Sequence, residues 1–170
     1  MSEIEDKILE LRDSLKSDRL NISFGELINL YEDRDLIISS EYQKNFRWND
    51  KQRSNFIESI LLKMPVLPIF VAEDEEGKWE LIYGLEQIYT IFSFFGVLEG
   101  LEKNQRDRYQ KLVSTELIGN ALDKMTIKTL PLKIKLAIQR TICRVEILRF
   151  HNSSMKYNFF KRLNTSFKKS

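Results

Sequence analysis

One uninterrupted strand–turn–strand–helix pattern in the middle of the chain constrains the fold most. Leu67 to Val71 and Trp79 to Ile82 are apolar runs on either side of an acidic segment, Glu73-Asp74-Glu75-Glu76-Gly77. This arrangement predicts a β-hairpin with a solvated turn. Leu85 to Phe95 follows at once with apolar residues at helical spacing, and Gly96 predicts a left-handed helix end. A sheet covered by a helix is therefore the minimum that this sequence must build.

The flanking segments also alternate between helical and strand spacing. Helices are predicted over residues 3–16, from a Ser23 cap to about residue 31, from an Asn49 cap to Pro65, after Pro131, and from Ser153 or Ser154 to Leu163. Residues 36–38 and 143–150 read as strands, and residues 101–124 have a weaker helical tendency. The prediction is an α+β fold with a small mixed sheet, roughly four strands and five or six surrounding helices.

Composition excludes several classes of protein. A single histidine, His151, and a single cysteine, Cys143, cannot form a Cys/His zinc site or an internal disulfide. Phosphate-binding loops, dinucleotide fingerprints and nucleophile elbows of the familiar kinds do not occur. No apolar run approaches the roughly 20 residues that cross a bilayer, so the expectation is a cytoplasmic protein with no membrane contact.

The charge is distributed unevenly along the chain. Residues 1–100 contain 11 basic and 20 acidic side chains, whereas residues 101–170 contain 16 and 5, which gives net charges of −9 and +11. One interpretation is that the two halves neutralise each other across a single folded surface. The other is a DNA or nucleic-acid surface made by basic residues near the C-terminus. Its candidates are Lys133, Lys135, Arg140, Arg144, Arg149, Lys156, Lys161 and Arg162.

Three short motifs occur in a characteristic order. The first is Tyr42-Gln43-Lys44-Asn45-Phe46-Arg47-Trp48, the second is Trp79-Glu80-Leu81-Ile82-Tyr83-Gly84-Leu85-Glu86-Gln87, and the third is Phe160-Lys161-Arg162-Leu163-Asn164-Thr165. They resemble Tyr-Gln-Arg-x-x-x-Trp, a strand followed by Asp-Gly-x-Gln-Arg, and Phe-x-Arg-Leu-Asn-Thr. Together they resemble the N-terminal domain of GmrSD-type modification-dependent restriction systems, a ParB/sulfiredoxin-like fold, over about residues 20–166.

The resemblance implies a domain that binds and hydrolyses nucleoside triphosphates with Mg²⁺, in support of DNA cleavage by a separate nuclease. It points to Gln43, Lys44, Arg47, Gly84 and Asn164 as nucleotide- or phosphate-binding positions. A glycine turn before a helix leaves N–H groups free for phosphate, which fits this implication.

The second motif departs from the family pattern at its charged positions. Tyr83 occupies the Asp position, and Glu86 and Gln87 occupy the Gln-Arg positions, so the catalytic set is degenerate. We expect Glu86 to repel a triphosphate and to compete for the amides at the helix start. Tyr83 and Tyr89 either stack on a base or fill the vacated pocket. No metal site is predicted.

Three functions follow from this pattern. The first is an inactive binding or regulatory module of a restriction, or anti-phage defence, system. The second is an active hydrolase that uses Glu86, Lys44 and Arg47 as substitutes, and the third is a non-enzymatic nucleic-acid-binding domain.

The whole chain is expected to form one domain: a helix within residues 1–19, the family-like part over 20–166, and a basic, truncated tail over 167–170. Phe167, after the last motif, is an apolar residue that we expect to be exposed, and exposed apolar surface tends to be covered by a partner. The expected partner in trans is either an intact homologue or a nuclease subunit.

Overall fold

The computed structural model describes residues 1–166, and those residues form an α+β fold, as predicted. The strands are β1 (Leu15–Ser23), β2 (Leu36–Ile37), β3 (Ile69–Glu73), β4 (Trp79–Tyr83) and β5 (Ile142–Phe150). The helices are α1 (Glu3–Asp13), α2 (Phe24–Glu32), α3 (Ser40–Gln43), α4 (Asp50–Leu61), α5 (Leu85–Phe94), α6 (Lys103–Tyr109), α7 (Leu132–Arg140) and α8 (Ser153–Ser166), with a 3-10 turn at Gly119–Leu122. The expected tail lies outside the described residues.

The five strands form one mixed sheet in the order β1-β5-β3-β4-β2. β5 pairs antiparallel with β1 and parallel with β3, while β4 pairs antiparallel with β3 and parallel with β2. The predicted hairpin is therefore the β3–β4 pair. In its turn the Asp74 carboxylate accepts hydrogen bonds from the Glu76 and Lys78 amides, both at 2.9 Å, which fixes the acidic loop.

Strand β1 was not predicted from the sequence. The predicted helix over residues 3–16 ends at Asp13, and the chain then runs as an edge strand whose residues 16–21 are exposed. Its sequence has little apolar alternation, so no local pattern marks it. Pairing with β5 along its whole length, from Leu15 opposite Phe150 to Ser23 opposite Ile142, holds it in place.

Helices cover both faces of the sheet. One face presents side chains such as Val71, Leu81 and Val145 to a large core completed by α2, α4, α5 and α7. The other face presents Ala72, Ile82 and Leu148, which pack against Phe159, Phe160 and Leu163 of α8. Helices α7 and α8 therefore lie on opposite faces.

The segment after α5 is less helical than predicted. Gly96, with φ of 74°, closes α5 as expected, because the Gly96 and Val97 amides bond back to the Ser93 and Phe92 carbonyls. Beyond it, residues 101–124 contain α6 and the 3-10 turn separated by loops. Polar side chains on α4 take up the loop amides that a helix would have bonded internally: Ser54 accepts from Val113, and Glu58 accepts from Leu117 and Ile118.

The buried carboxylate of Glu58 predicts acid sensitivity. Burial raises the pKa of Glu58, but the bonds from the Ile118 and Leu117 amides and the charge of Lys51 outweigh it, so the pKa lies below its ordinary value of 4.5. The unfolded chain then binds more protons at this group than the folded chain does. The stabilisation is therefore complete above about pH 4.5 and is lost as the pH falls through the lowered pKa.

We expect Glu58→Gln to lower the free energy of unfolding by roughly 1–3 kcal/mol at pH 7, and by less at pH 3, because a charged acceptor is exchanged for a neutral one. Urea unfolding at a series of pH values measures this difference. Glu75→Gln, in the exposed hairpin turn, is the control and should show no such trend. A Glu58→Gln effect of constant size at all pH values would contradict the prediction.

Candidate functional site

Tyr42 and Asn164 join the first and third motifs beside the start of α5. The Tyr42 hydroxyl donates to Asn164 Oδ1 at 3.2 Å, and Asn164 Nδ2 donates to the carbonyls of Ile82 at 3.0 Å and Phe160 at 2.8 Å. Burial raises the pKa of Tyr42 far above its ordinary value, while the bonded backbone amide of Leu85 acts in the opposite direction. Asn164, predicted to bind nucleotide, therefore has its amide engaged within the fold.

Gly84 makes the turn that was predicted between β4 and α5. Its φ of 101° lies in the left-handed region, and it begins α5 with no side-chain cap. A Cβ atom at this position would lie 2.5 Å from Cγ2 of Ile69 on β3. The close approach of the turn to β3 thus requires glycine, whatever ligand the turn binds.

Glu86 points away from the helix start and toward the loop that precedes α4. Its Oε2 accepts hydrogen bonds from the backbone amides of Arg47 at 3.2 Å and Trp48 at 3.3 Å. We expected the Glu86 carboxylate to compete with phosphate for the amides at the start of α5. That expectation is wrong, because the carboxylate accepts hydrogen bonds from the loop amides of Arg47 and Trp48 instead. Burial raises the pKa of Glu86, and the two amides together with the Arg47 charge partly offset that rise.

Some of the other predicted phosphate-binding residues line a cleft, and others do not. Gln43 Nε2 donates to the Ile38 carbonyl at 3.0 Å, and Arg47 Nη1 donates to the carbonyls of Lys44 and Phe46 at 2.6 and 2.9 Å. Gln43 and Lys44 line a cleft of about 720 Å³, but Arg47, Gly84 and Asn164 are not among its lining residues. Of the five positions, only Gln43 and Lys44 therefore line this cleft.

Aromatic side chains, among them Phe46, Tyr89 and Tyr109, line part of this cleft. Phe46 stacks on Tyr89 with centroids 4.1 Å apart, and both meet the edge of Tyr109 at about 6 Å. Tyr31 and Arg34 line the cleft as well. Burial raises the pKa of Tyr89 to about 12, so its hydroxyl remains protonated at neutral pH. Sequence reasoning missed Tyr31, Arg34, Phe46 and Tyr109 as neighbours because they come from segments far apart in the chain.

Comparison with protein families decides the relationship that the motifs indicated. A family model described as "GmrSD restriction endonuclease, N-terminal domain" matches residues 24–169. The chain belongs to the GmrSD N-terminal domain family. No curated protein and no solved structure matches it significantly. Family membership relates the chain to a component of DNA restriction systems, and the matched region begins at α2, after α1 and β1.

Within this GmrSD N-terminal domain, the side chains of Tyr83 and Gln87 pack inside the protein rather than facing solvent. Tyr83 is half-buried and meets the ring of Phe70 edge-on, with centroids 5.7 Å apart. Gln87 is 7% exposed, and its Oε1 accepts no hydrogen bond from any residue that the structure describes. Gln87, which the sequence analysis placed at an arginine position of the motif, is therefore a buried neutral amide.

The GmrSD fold does not gather the eight predicted DNA-binding residues into one patch. Lys133, Lys135 and Arg140 lie on α7, whereas Lys156, Lys161 and Arg162 lie on α8, across the sheet. Three of the eight also have carboxylate partners, and those pairs are Arg144–Glu146 at 3.1 Å, Arg149–Glu73 at 2.9 Å and Lys156–Glu80 at 2.8 Å. Because α7 packs against α2 and α4 on one face of the sheet and α8 packs on the other, these residues do not form one continuous surface, and their binding of nucleic acid stays a prediction.

Residues 1–166 contain neither a cluster of metal-ligating side chains nor a helix that could span a membrane. Among residues 1–166 no group of three or more His, Cys, Asp or Glu side chains is placed to hold a metal ion. Over the same residues, none of the helices has both the length and the apolar character needed to cross a bilayer.

Proposed function

We propose that this GmrSD N-terminal domain is a catalytically inactive relative of a nucleotide-hydrolysing domain and acts as a binding or regulatory module of a restriction system. The main observation in support of this proposal is that the Glu86 carboxylate accepts hydrogen bonds from the backbone amides of Arg47 and Trp48. These two N–H groups belong to the loop that carries Arg47, one of the predicted phosphate-binding residues, so a negative charge within the protein already occupies them and opposes an anionic ligand beside Arg47.

The substitution at Gln87 supports the same conclusion. An arginine clamps phosphate oxygens with two charge-assisted bonds, each bond to a charged group contributing about 1.5–3 kcal/mol. Gln87 is neutral and buried, so this contribution is lost. At about 1.4 kcal/mol per tenfold change, the loss of the clamp together with the charge of Glu86 weakens a nucleotide site by roughly a hundredfold or more.

The cleft supports the binding part of the proposal. Its volume of about 720 Å³ falls in the range of small-molecule sites, roughly 300–1,000 Å³. Aromatic rings and the side chains of Gln43, Lys44 and Arg34 line the same concavity, so it presents both apolar area and hydrogen-bonding groups. Apolar area and hydrogen-bonding groups in one concave site are sufficient for a module that binds a ligand without catalysing a reaction. The nuclease activity of such a system would then belong to a partner or to another domain.

Restoring the family motif tests the proposal. We expect the purified domain with Mg²⁺ and each nucleoside triphosphate to release no phosphate above background. The variant Tyr83→Asp with Glu86→Gln and Gln87→Arg should bind nucleotide about a hundredfold more tightly, by calorimetric titration. The control keeps Gln87 and carries the other two substitutions, which isolates the effect of the arginine. An unchanged affinity in the triple variant would contradict the proposal.

The second candidate is an active hydrolase in which Glu86 acts as a base beside Lys44 and Arg47. The raised pKa of Glu86 favours it, since a general base operates best near the working pH. The two hydrogen bonds that Glu86 Oε2 already accepts argue against this candidate, because they occupy the oxygen that would take up a proton. Phosphate release that disappears in Glu86→Ala but survives in Glu80→Ala would establish this candidate and overturn the first.

A further inference from the structure

Helix α1 is well formed but exposes its apolar side. Ser2 and Glu5 form a complete capping box at its start, and none of its residues is buried. Ile4, Ile8 and Leu11 are exposed by 67%, 41% and 45%. The helix also precedes residue 24, where the family match begins, so the matched region does not include it.

The exposed apolar residues follow coiled-coil spacing. Ile4, Ile8 and Leu11 are separated by four and then three residues. These steps place the three side chains on one narrow stripe of α1, the pattern that packs against a second helix. The other sides of the helix carry charged residues such as Asp6 and Glu10, together with one exposed apolar residue, Leu9.

The charges beside the stripe decide which helix can cover it. With the stripe at heptad positions a and d, Glu5 and Arg12 occupy e positions and Lys7 occupies a g position. A parallel second copy would bring Lys7 against Arg12, which repel each other. An antiparallel second copy brings Glu5 of each chain against Arg12 of the other, giving two opposite-charge pairs, while Ile8 packs against Leu11.

We propose that α1 pairs antiparallel with α1 of a second copy of this chain. The arrangement has two-fold symmetry, so each copy contributes the same surface. Three turns of helix on each side make a small interface. We therefore expect weak, concentration-dependent dimerisation rather than an obligate dimer.

Charge reversal tests both the pairing and its direction. Light scattering and sedimentation of the full chain from about 1 μM to about 1 mM should show a shift from 20.2 kDa toward twice that mass. Arg12→Glu should weaken dimerisation about tenfold or more, because two attractive pairs become repulsive. Glu5→Arg combined with Arg12→Glu should restore it. Ile8→Glu should abolish it.

Two controls keep the test decisive. Lys7→Glu reverses a charge on the same helix but, in the antiparallel arrangement, faces Ser14 of the partner copy, so it should leave the dissociation constant unchanged. Circular dichroism checks that each variant keeps its helix content. A monomer at every concentration overturns the proposal. So does tighter dimerisation of Lys7→Glu, which would indicate parallel helices, or a failure of the double reversal to restore pairing.

Discussion

Replacing Gly84 with alanine should lower the free energy of unfolding by roughly 2–5 kcal/mol, from a left-handed backbone penalty of about 1–2 and an overpacking penalty of about 1–3. The φ of 101° disfavours any side chain at this position. The added Cβ would also lie 2.5 Å from Ile69 Cγ2, 3.0 Å from its Cβ and 3.3 Å from its Cα, so the strand itself would have to shift. Urea unfolding measures the loss.

Gly77→Ala is the matched control for this prediction. Gly77 also has a positive φ, 87°, but a Cβ there would have no atom within 4 Å. It should therefore show the backbone penalty alone. Combining Gly84→Ala with Ile69→Ala should destabilise the protein by less than the sum of the two single changes, since the second removes the atom that clashes. Equal losses for Gly84→Ala and Gly77→Ala, or strict additivity with Ile69→Ala, would contradict the packing argument.

Replacing Asp50 with alanine should lower the free energy of unfolding by about 3–5 kcal/mol, because it leaves a buried charge without its partner. Arg53 is 1% exposed, and its Nη2 bonds to Asp50 Oδ1. Burial raises the pKa of Asp50, but the bonds from Arg53 and Arg108 outweigh it and hold the pKa below its ordinary value. The carboxylate is therefore ionised at neutral pH, where unfolding should be measured.

Arg108→Ala is the control for this prediction. Arg108 also bonds to Asp50, at 2.9 Å, but its side chain is 59% exposed. Exposed pairs contribute about 0–1 kcal/mol, so this variant should be nearly as stable as the parent. A second variant, Asp50→Asn with Arg53→Met, removes the buried charge of Arg53 together with the partly exposed charge of Asp50, and it should recover much of the stability lost in Asp50→Ala. Similar losses for Asp50→Ala and Arg108→Ala would show that the buried charge is not the cause.

The buried arginine also positions the candidate cleft. Arg53 lies over the ring of Tyr109, 4.5 Å from its centroid, and its Nη1 donates to the Tyr109 carbonyl at 3.1 Å. Tyr109 in turn meets Phe46 and Tyr89 edge-on. The shape of the cleft thus depends on an ion pair outside it, and Asp50→Ala should also disturb the packing of Tyr109 against Phe46 and Tyr89.

The family motifs have a structural role here that their chemistry does not reveal. Tyr42 and Asn164 connect α3 to α8, while Glu86 connects α5 to the loop before α4. The scaffold can therefore persist while the charged positions change.

Elements set by neighbouring residues were predicted correctly. Asn49 and Gln52 exchange bonds of 2.9 Å at the start of α4, and Ser23 accepts from the Glu26 amide at the start of α2. The β3–β4 hairpin and the Gly96 helix end were equally visible. In each of these elements, the interacting groups lie within a few residues of one another along the sequence, so the pattern that predicts the contact can be read without the tertiary structure.

Contacts between distant segments fixed the rest. β1 is a strand because β5, more than a hundred residues later, supplies its hydrogen-bonding partners. Glu86 bonds to the loop at residues 47 and 48, and α7 and α8 separate the basic residues, because packing on the two faces of the sheet decides where each helix lies. The amino-acid sequence alone therefore determined the family, the α+β class and the local turns. The turns and helix caps could be predicted because the interactions that stabilise them lie within single segments. The cleft and the partners of Glu86 depended on tertiary structure, since their free energies arise only when separate segments bury surface together.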